Sequence, residues 1–420
     1  MITDPLALIR TAHFAATLLA SGTVFFAALV IGPIRLSRNF PKLREQMNVL
    51  VWIGLALSIL TGAMWLVWLA ANIFGESLTD VCLHGGAWSV LADTRFGWIC
   101  CLRLALAVFL GLLVLTPTHR VWPVAAAAVF LALPAFASHA GATPGPRGNV
   151  HVVSDALHLL SAGAWLGALP AFVLLLWNAH RSRKPDWRDV TVKVTRRFSW
   201  LAALSVGILL ATGIVNSWNL LGGVRDLWTT DYGRLVGFKI ALLAAMIAIA
   251  SVNKFHLTPH LPARAALHNL QRNSFAEIGI GLCVLVLVGY LGRLEPTAHV
   301  HPATTLIPPD AAFTHIHMLE AMADVTINPG HAGRAAVTIR VSREDFTTFP
   351  AKDVHLVLDP PPAFGNAADS VKSVARQQPD GTWTVSDVAL TQPGIWTVRV
   401  IVITRSGEAI VLHAPIVIDR

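Results

Sequence analysis

Charged residues are scarce in this sequence. Asp, Glu, Lys and Arg make up 13% of its 420 residues, 54% are hydrophobic, and the mean hydropathy is +0.59. Soluble globular proteins carry about 25% charged residues, so this composition excludes that class and indicates a membrane protein. Cysteine is equally sparse. The four cysteines form no CxxC pair, which excludes a disulfide framework or a cysteine zinc site: Cys82, Cys100, Cys101 and Cys283.

Sequence motifs for nucleotide or hydrolytic chemistry are also missing. The chain has no Walker loop, dinucleotide-binding fingerprint, nucleophile elbow or zincin motif, so we expect neither ATP hydrolysis nor enzymatic activity. The net charge of +8 comes from Lys and Arg in short loops between apolar runs. We interpret that charge as a topology signal for a protein in membrane lipid, and we expect no nucleic-acid partner.

Long apolar runs fill the first 295 residues. A bilayer core of about 30 Å requires about 20 mostly apolar residues in a helix. Eight stretches meet or nearly meet that length, and the first, which lacks a cleavage site, is expected to be retained: 9–31, 49–73, 96–116, 121–139, 152–177, 199–221, 235–256 and 274–292. Residues 1–295 are therefore predicted to form an eight-helix transmembrane bundle.

The loops differ in basic content, which predicts orientation. The loops after the first, fifth and seventh spans are rich in Lys and Arg, whereas the alternate loops contain few. Since basic loops stay in the cytoplasm, both chain termini are predicted to lie outside a bacterial inner membrane.

The last hundred residues have a different pattern. Short segments alternate between apolar and polar residues and are separated by Pro, Gly, Asn and Asp, as at 335–341, 382–385 and 395–400. This pattern is typical of antiparallel strands. Roughly seven such strands favour an immunoglobulin-like β-sandwich at 313–420, outside the membrane, joined by a linker at 296–312.

Histidines enter three predicted spans from the outer side. His13 lies early in the first span, His139 ends the fourth, and His151, Asp155 and His158 open the fifth. The last three are spaced i, i+4 and i+7, which places them on one stripe of a helix. Imidazole is a common ligand of copper, zinc and iron, and a carboxylate can complement it. A single His near a span end is more often interfacial, but several at one depth indicate a metal site.

A second histidine motif lies next to the predicted sandwich. His315 and His317, followed by Met318, are expected immediately before its first strand. In extended chain the two imidazoles lie on one side, and the thioether suits copper(I) better than zinc. A solvated loop would explain the pair equally well.

Other polar residues within the spans have simpler explanations. Arg103 and Lys239 are expected in the outer half, where either could pair with Asp155. Glu277, with Asn253 and His256, could form an inner polar site, or these side chains could reach the interface.

Several segments resemble the copper resistance protein D (CopD) family. They occur at 155–169, 94–97, 138–140, 197–199 and 230–235, and the likeness covers about 5–292. The tail, at 315–330 and 394–396, resembles a YtkA-like β domain. The resemblance implies copper transport, usually uptake from periplasm to cytoplasm. No copper-binding domain of the kind that some members carry precedes the first span, so a periplasmic copper chaperone or the β domain would deliver the metal.

We therefore expect His315, His317 and Met318 to capture copper and the residues at 13, 139, 151, 155 and 158 to receive it. Two alternatives remain. The histidines at 13, 139, 158 and 256 could be axial ligands of a b-type haem, with Gly22, Gly141 and Gly163 making room. The protein could also hold copper for a partner without transporting it.

Overall fold

The computed structural model contains two compact units, Met1–Val300 and His301–Arg420. The structure describes residues 4–34, 40–74, 76–116, 119–137, 145–182, 186–294, 308, 310–317, 321–343, 347–361 and 370–419. The first unit is helical and the second consists of strands, as predicted.

Twelve α-helices are found in the described part of the first unit. They are α1 (Pro5–Phe25), α2 (Pro41–Phe74), α3 (Leu78–Leu83), α4 (Gly86–Asp93), α5 (Arg95–Leu115), α6 (Val121–Ala132), α7 (Gly145–Ala162), α8 (Leu169–Arg181), α9 (Asp186–Leu220), α10 (Asp226–Thr229), α11 (Asp231–Val252) and α12 (Arg264–Leu291). Three of them continue into π-helical segments, at Phe26–Ile31, Gly163–Gly167 and Asn253–Leu257.

Seven of the predicted spans are helices long and apolar enough to cross a membrane. They are Pro5–Ile34, Pro41–Phe74, Arg95–Leu115, Gly148–Arg181, Trp187–Leu220, Asp231–His260 and Arg264–Leu291. The remaining one, predicted at 121–139, is the shorter apolar helix Val121–Ala137 as far as the structure describes it. The chain is thus a multi-pass membrane protein with a predominantly helical fold.

Side-chain caps define where three of the spans begin. Asp4 accepts a hydrogen bond from the Leu6 backbone N–H, and Pro5 occupies the first helical position of α1. Thr94 and Thr230 cap α5 and α11, each accepting from the backbone N–H three residues later. These contacts satisfy N–H groups that have no partner within the helix.

The centre of the bundle contains a close approach of two backbones. A Cβ at Gly22 of α1 would overlap the backbone of Gly167, and a Cβ at Gly167 would overlap the carbonyl of Leu18. Only glycine allows this contact, and small residues of this kind are typical of helix pairs in membranes.

The second unit has two antiparallel sheets. One has the strand order β1 (Ala312–His317), β2 (Met322–Asn328), β3 (Gly333–Ser342), β7 (Trp383–Leu390), β6 (Arg376–Gln377). The other has the order β5 (Val371–Val374), β4 (Ala351–Asp359), β8 (Gly394–Thr404), β9 (Ala409–Ile418). Inward side chains of both sheets form one core that includes Trp383 and Trp396. This arrangement agrees with the predicted sandwich, with nine strands in the described residues rather than about seven.

Candidate functional site

The polar stripe of α7 faces the interior of the bundle. His151 is 3% exposed, whereas Val150, Val153 and Leu157 on the other side of the helix are 60%, 58% and 43% exposed. Because apolar side chains face outward, the stripe predicted from the i, i+4, i+7 spacing packs against other helices.

His158 is held by a threonine of α9. Its Nδ1 lies 2.9 Å from Thr212 Oγ1, and the Thr212 hydroxyl donates to the Ile208 carbonyl at 2.7 Å. One helical turn earlier, Ser154 donates to the Thr212 carbonyl at 3.3 Å. α7 and α9 are therefore joined by polar contacts at the level of His158.

His13 makes the same contact in the first half of the unit. Its Nδ1 lies 3.1 Å from Thr61 Oγ1 of α2, and the Thr61 hydroxyl donates to the Leu57 carbonyl at 2.6 Å. The imidazole is 6% exposed and its centroid lies 5.5 Å from that of Trp65.

These contacts determine the tautomer of both histidines. Each threonine hydroxyl has given its hydrogen to a carbonyl of its own helix, so its oxygen can only accept. Nδ1 of His13 and of His158 must then carry the proton, an assignment that follows from the hydrogen-bond network. Nε2 of each ring keeps its lone pair, which is the form of imidazole that binds a metal.

The two histidines differ in the charges around them. Lys239 of α11 interacts electrostatically with both Asp155 and His158, and Asn216 donates to Asp155 at 3.4 Å. Of the two cations considered as partners of Asp155, Lys239 is the one whose Coulombic interaction with it is seen. One positive and one negative group lie near His158.

Two cations lie near His13 instead. Arg103 acts on His13 and donates to Thr17 Oγ1 at 3.0 Å. Arg10 occupies the position three residues before the histidine, where the second half has Asp155, and its guanidinium lies 4.9 Å from the Trp65 ring centroid. One cation thus acts on each histidine, Arg103 or Lys239, but the residue three positions earlier is a guanidinium before His13 and a carboxylate before His158.

The two halves of the unit repeat one pattern. In both, a histidine is followed nine residues later by a glycine of the central contact, and a threonine that directly precedes a glycine binds the histidine. In both, a capping threonine precedes a cation by nine residues. The matched positions are His13 with His158, Gly22 with Gly167, Thr61 with Thr212, Thr94 with Thr230, Gly97 with Gly233, and Arg103 with Lys239. Parallel repeats of this kind are common in transporters.

This pattern also relates each histidine to the glycine contact. Gly22 and Gly167 touch, and each histidine lies nine residues toward the beginning of its helix. At 1.5 Å per residue, His13 lies about 14 Å along α1 from the glycine contact, and the π-helical segment Gly163–Gly167 lies in the corresponding interval after His158.

The structure does not gather all the predicted ligands. Within the residues that it describes, no three or more His, Cys, Asp or Glu side chains lie close enough to hold a metal ion together. His139, the predicted ligand from the fourth span, lies outside the described residues. His151 and Asp155 share the α7 stripe with His158, whereas His13 belongs to a separate His–Thr pair.

In the β unit, the His-x-His pair lies within the first strand, not before it as expected. β1 continues to His317 because its backbone pairs with β2, His315 opposite Asp324 and His317 opposite Met322. His315 Nδ1 lies 2.6 Å from Asp324 Oδ1, a contact that orients the imidazole. Met318 lies outside the described residues.

Sequence reasoning missed the two threonines that hold the histidines. Thr61 and Thr212 look like ordinary small polar residues of apolar spans. Each is followed directly by glycine, and a comparison of the two halves of the chain would have revealed the repeated Thr-Gly pair.

Comparisons with known proteins agree with the resemblance seen in the sequence. Residues 192–291 match the copper resistance protein D family, and residues 1–149 match the copper resistance protein D-like N-terminal domain. No solved structure matches significantly.

Three curated relatives are similar over most of this chain. Inner membrane protein YebZ of Escherichia coli is 30% identical, over 69% of this chain and 97% of its own length. Copper resistance protein D of Pseudomonas syringae pv. tomato is 27% identical, over 70% and 97%. Copper transport protein CutJ of Bacillus subtilis is 25% identical, over 75% of this chain and 59% of its own length. With 30% identity across nearly the whole of one relative, the chain belongs to the copper resistance protein D family.

Proposed function

We propose that this protein transports copper across the bacterial inner membrane, from the periplasm to the cytoplasm. The names of the relatives support this, since one is a copper transport protein, one a copper resistance protein and one an inner membrane protein. Basic residues flank the far ends of the helices that carry His13 and His158, which favours an extracytoplasmic position for the histidines and for the C-terminal unit.

The observation that carries the proposal is the pair of oriented imidazoles. His13 and His158 each stand nine residues before a glycine of the central contact, and each donates an Nδ1–H hydrogen bond to threonine and keeps its Nε2 lone pair available. Two such nitrogens inside a lipid-facing bundle are costly unless they serve a ligand. In the proposed path they receive copper at the outer mouth, together with His139, His151 and Asp155.

The second half offers the better first binding position. Asp155 acts on Lys239 and would offset its charge near His158, whereas Arg103 acts on His13 and Arg10, three residues before it, adds a second positive charge. Copper therefore binds first at His158 in our proposal.

The β unit supplies the capture site. His315 is oriented by Asp324, and His317 follows two residues later in β1. Met318 would complete a soft ligand set suited to copper(I). A periplasmic copper chaperone could load this site before transfer to the bundle.

The haem alternative is less favoured by the packing. The space beside Gly22 is occupied by the backbone of Gly167, and the space beside Gly163 is occupied by the side chain of Leu131. Neither glycine therefore leaves room for a porphyrin. His256 is exposed rather than directed into a pocket. An absorbance spectrum of the purified protein tests this point, since a Soret band would favour haem.

Copper uptake into proteoliposomes tests transport directly. With the C-terminal unit facing outward, as judged by its accessibility to protease, vesicles are expected to accumulate copper well above protein-free vesicles. Accumulation equal to that of protein-free vesicles would reject transport and favour a copper-holding assembly factor.

The threonine contact provides a finer prediction. Thr212→Val keeps the shape of the side chain but removes the oxygen that accepts the hydrogen bond from His158 Nδ1. Because the imidazole is then no longer oriented, copper affinity should fall by about 10- to 100-fold. Affinity is measured by titration in a His315→Ala/His317→Ala background, so that the β unit does not compete. Thr116→Val is the control, because Thr116 is exposed and bonds only to its own helix. Equal affinities in the two variants would contradict the role of Thr212.

A further inference from the structure

A cavity lies in the helical unit among α8, α9, α11, α12 and the π-helical segment Gly163–Gly167. Its volume is about 210 Å³, room for several water molecules, and it is partly open to the surface of the unit. Aromatic side chains of Trp165, Phe172 and Phe198 form part of its wall, and α9, α11 with its π-helical continuation, and α12 form the rest. Such a volume suits water or a small ion.

Three buried polar atoms in the cavity wall have no hydrogen-bond partner among the described residues. They are Thr195 Oγ1, Ser274 Oγ and Glu277 Oε1. Their residues are 1%, 0% and 2% exposed. Buried polar groups nearly always have a hydrogen-bond partner. Three unpartnered oxygen atoms around one cavity therefore indicate that the cavity holds a polar ligand.

Glu277 also lacks a counter-ion. In the described part of the chain no cation forms an ion pair with its carboxyl. Lys254, the charged residue that shares the cavity wall, has its ammonium 4.5 Å from the Trp200 ring centroid and 5.6 Å from that of Phe255. A bare carboxylate here would cost several kcal/mol, so the carboxyl must hold a proton or a cation.

The side chains that line the cavity indicate which ligand it binds. Among the described residues, no His, Cys or Met lines the cavity, and the oxygen ligands that line it are carboxyl, hydroxyl and amide groups. This set does not suit copper(I), which prefers thiolate, thioether or imidazole. A proton needs only one carboxyl, with Thr195 and Ser274 able to donate to it when it is ionised.

The cavity is connected to the histidine site through one helix. Trp165 in the cavity wall belongs to the π-helical segment Gly163–Gly167, which directly continues the helix that carries His158. Single π-helical turns are frequent at functional sites. A shift of this helix when copper binds would change the surroundings of Glu277.

We propose that Glu277 is a proton-binding site and that its protonation is coupled to copper transport. The carboxyl releases its proton to cavity water and later rebinds one, without further chemistry. Coupling rests on the proposed copper transport, whereas proton binding at Glu277 does not.

Infrared difference spectroscopy tests proton binding without reference to copper. The full-length protein in lipid is expected to show the carbonyl stretch of a protonated carboxylic acid, shifted in D2O and absent in Glu277→Gln. Glu45→Gln, which changes an exposed carboxyl, should retain the band. A band that is unchanged in Glu277→Gln would overturn the proposal. A Glu277 carboxylate band whose frequency depends on added sodium would also overturn it, because the carboxyl would then hold a cation.

Copper uptake under an imposed pH gradient tests coupling. With one proton per copper, a gradient of one pH unit should change the steady-state copper ratio by about tenfold in wild type. Glu277→Gln should equilibrate copper without responding to the gradient. If the variant responds like wild type, coupling through Glu277 is rejected. If the wild-type protein transports no copper, the proposed function is rejected. Proton binding at Glu277 is then still decided by the infrared experiment, which does not involve copper.

Discussion

His158→Ala should lower copper affinity by more than about 100-fold, because it removes a ligand rather than an orienting partner. His13→Ala should cost less, since Arg10 and Arg103 already disfavour a cation there. Titration of the purified variants in the His315→Ala/His317→Ala background measures both effects. Elemental analysis of the His13→Ala/His158→Ala double variant then gives the number of coppers lost.

A matched control is His256→Ala, because His256 is exposed and lies toward the opposite end of the bundle. It should bind copper like wild type. Unchanged stoichiometry in the double variant would remove the intramembrane site, and a larger loss at His13 than at His158 would reject the electrostatic argument. His139→Ala combined with His158→Ala tests the ligand predicted from the fourth span.

Gly22→Ala should destabilise the helical unit severely. The new Cβ would overlap the backbone of Gly167, and backbone atoms cannot rotate away as a side chain can. Overpacking in a core costs about 1–3 kcal/mol, and we expect at least the upper end because backbone must move. Thermal unfolding of the detergent-solubilised protein, followed by tryptophan fluorescence, measures the loss.

Gly207→Ala serves as the control for this substitution. A Cβ at Gly207 of α9 meets nothing within 4 Å, and alanine favours a helix over glycine by about 1 kcal/mol. Its melting temperature should equal or exceed that of wild type. A Gly22→Ala protein that melts like the Gly207→Ala control would show that the two backbones do not touch.

The repeat pattern gives the two halves unequal roles. Each half has a histidine held by a Thr-Gly pair and a cation nine residues after a capping threonine. The position three residues before the histidine differs, with Arg10 in one half and Asp155 in the other. The surroundings of His13 therefore repel a cation more than those of His158. In the proposed path, copper enters at His158 and leaves past His13.

Some features of the fold were predictable because they depend on local pattern. Long apolar runs predict spans, and period-two alternation predicts strands, since each pattern buries one face of one kind of element. The strand boundary at His317 was not predictable, because it depends on backbone pairing with β2. The cavity around Glu277 was equally unpredictable, since the side chains that line it come mostly from other helices.

The sequence by itself determined that this is a multi-pass membrane protein with a β-sandwich tail, and it located the histidines and the resemblance to copper resistance proteins. These features depend on composition, spacing and motif order along the chain. The tertiary structure alone decided which threonines orient His13 and His158, which cation lies near each, and that a cavity surrounds Glu277. Those features arise where helices distant in sequence touch, and contacts between helices depend on packing that no single segment encodes.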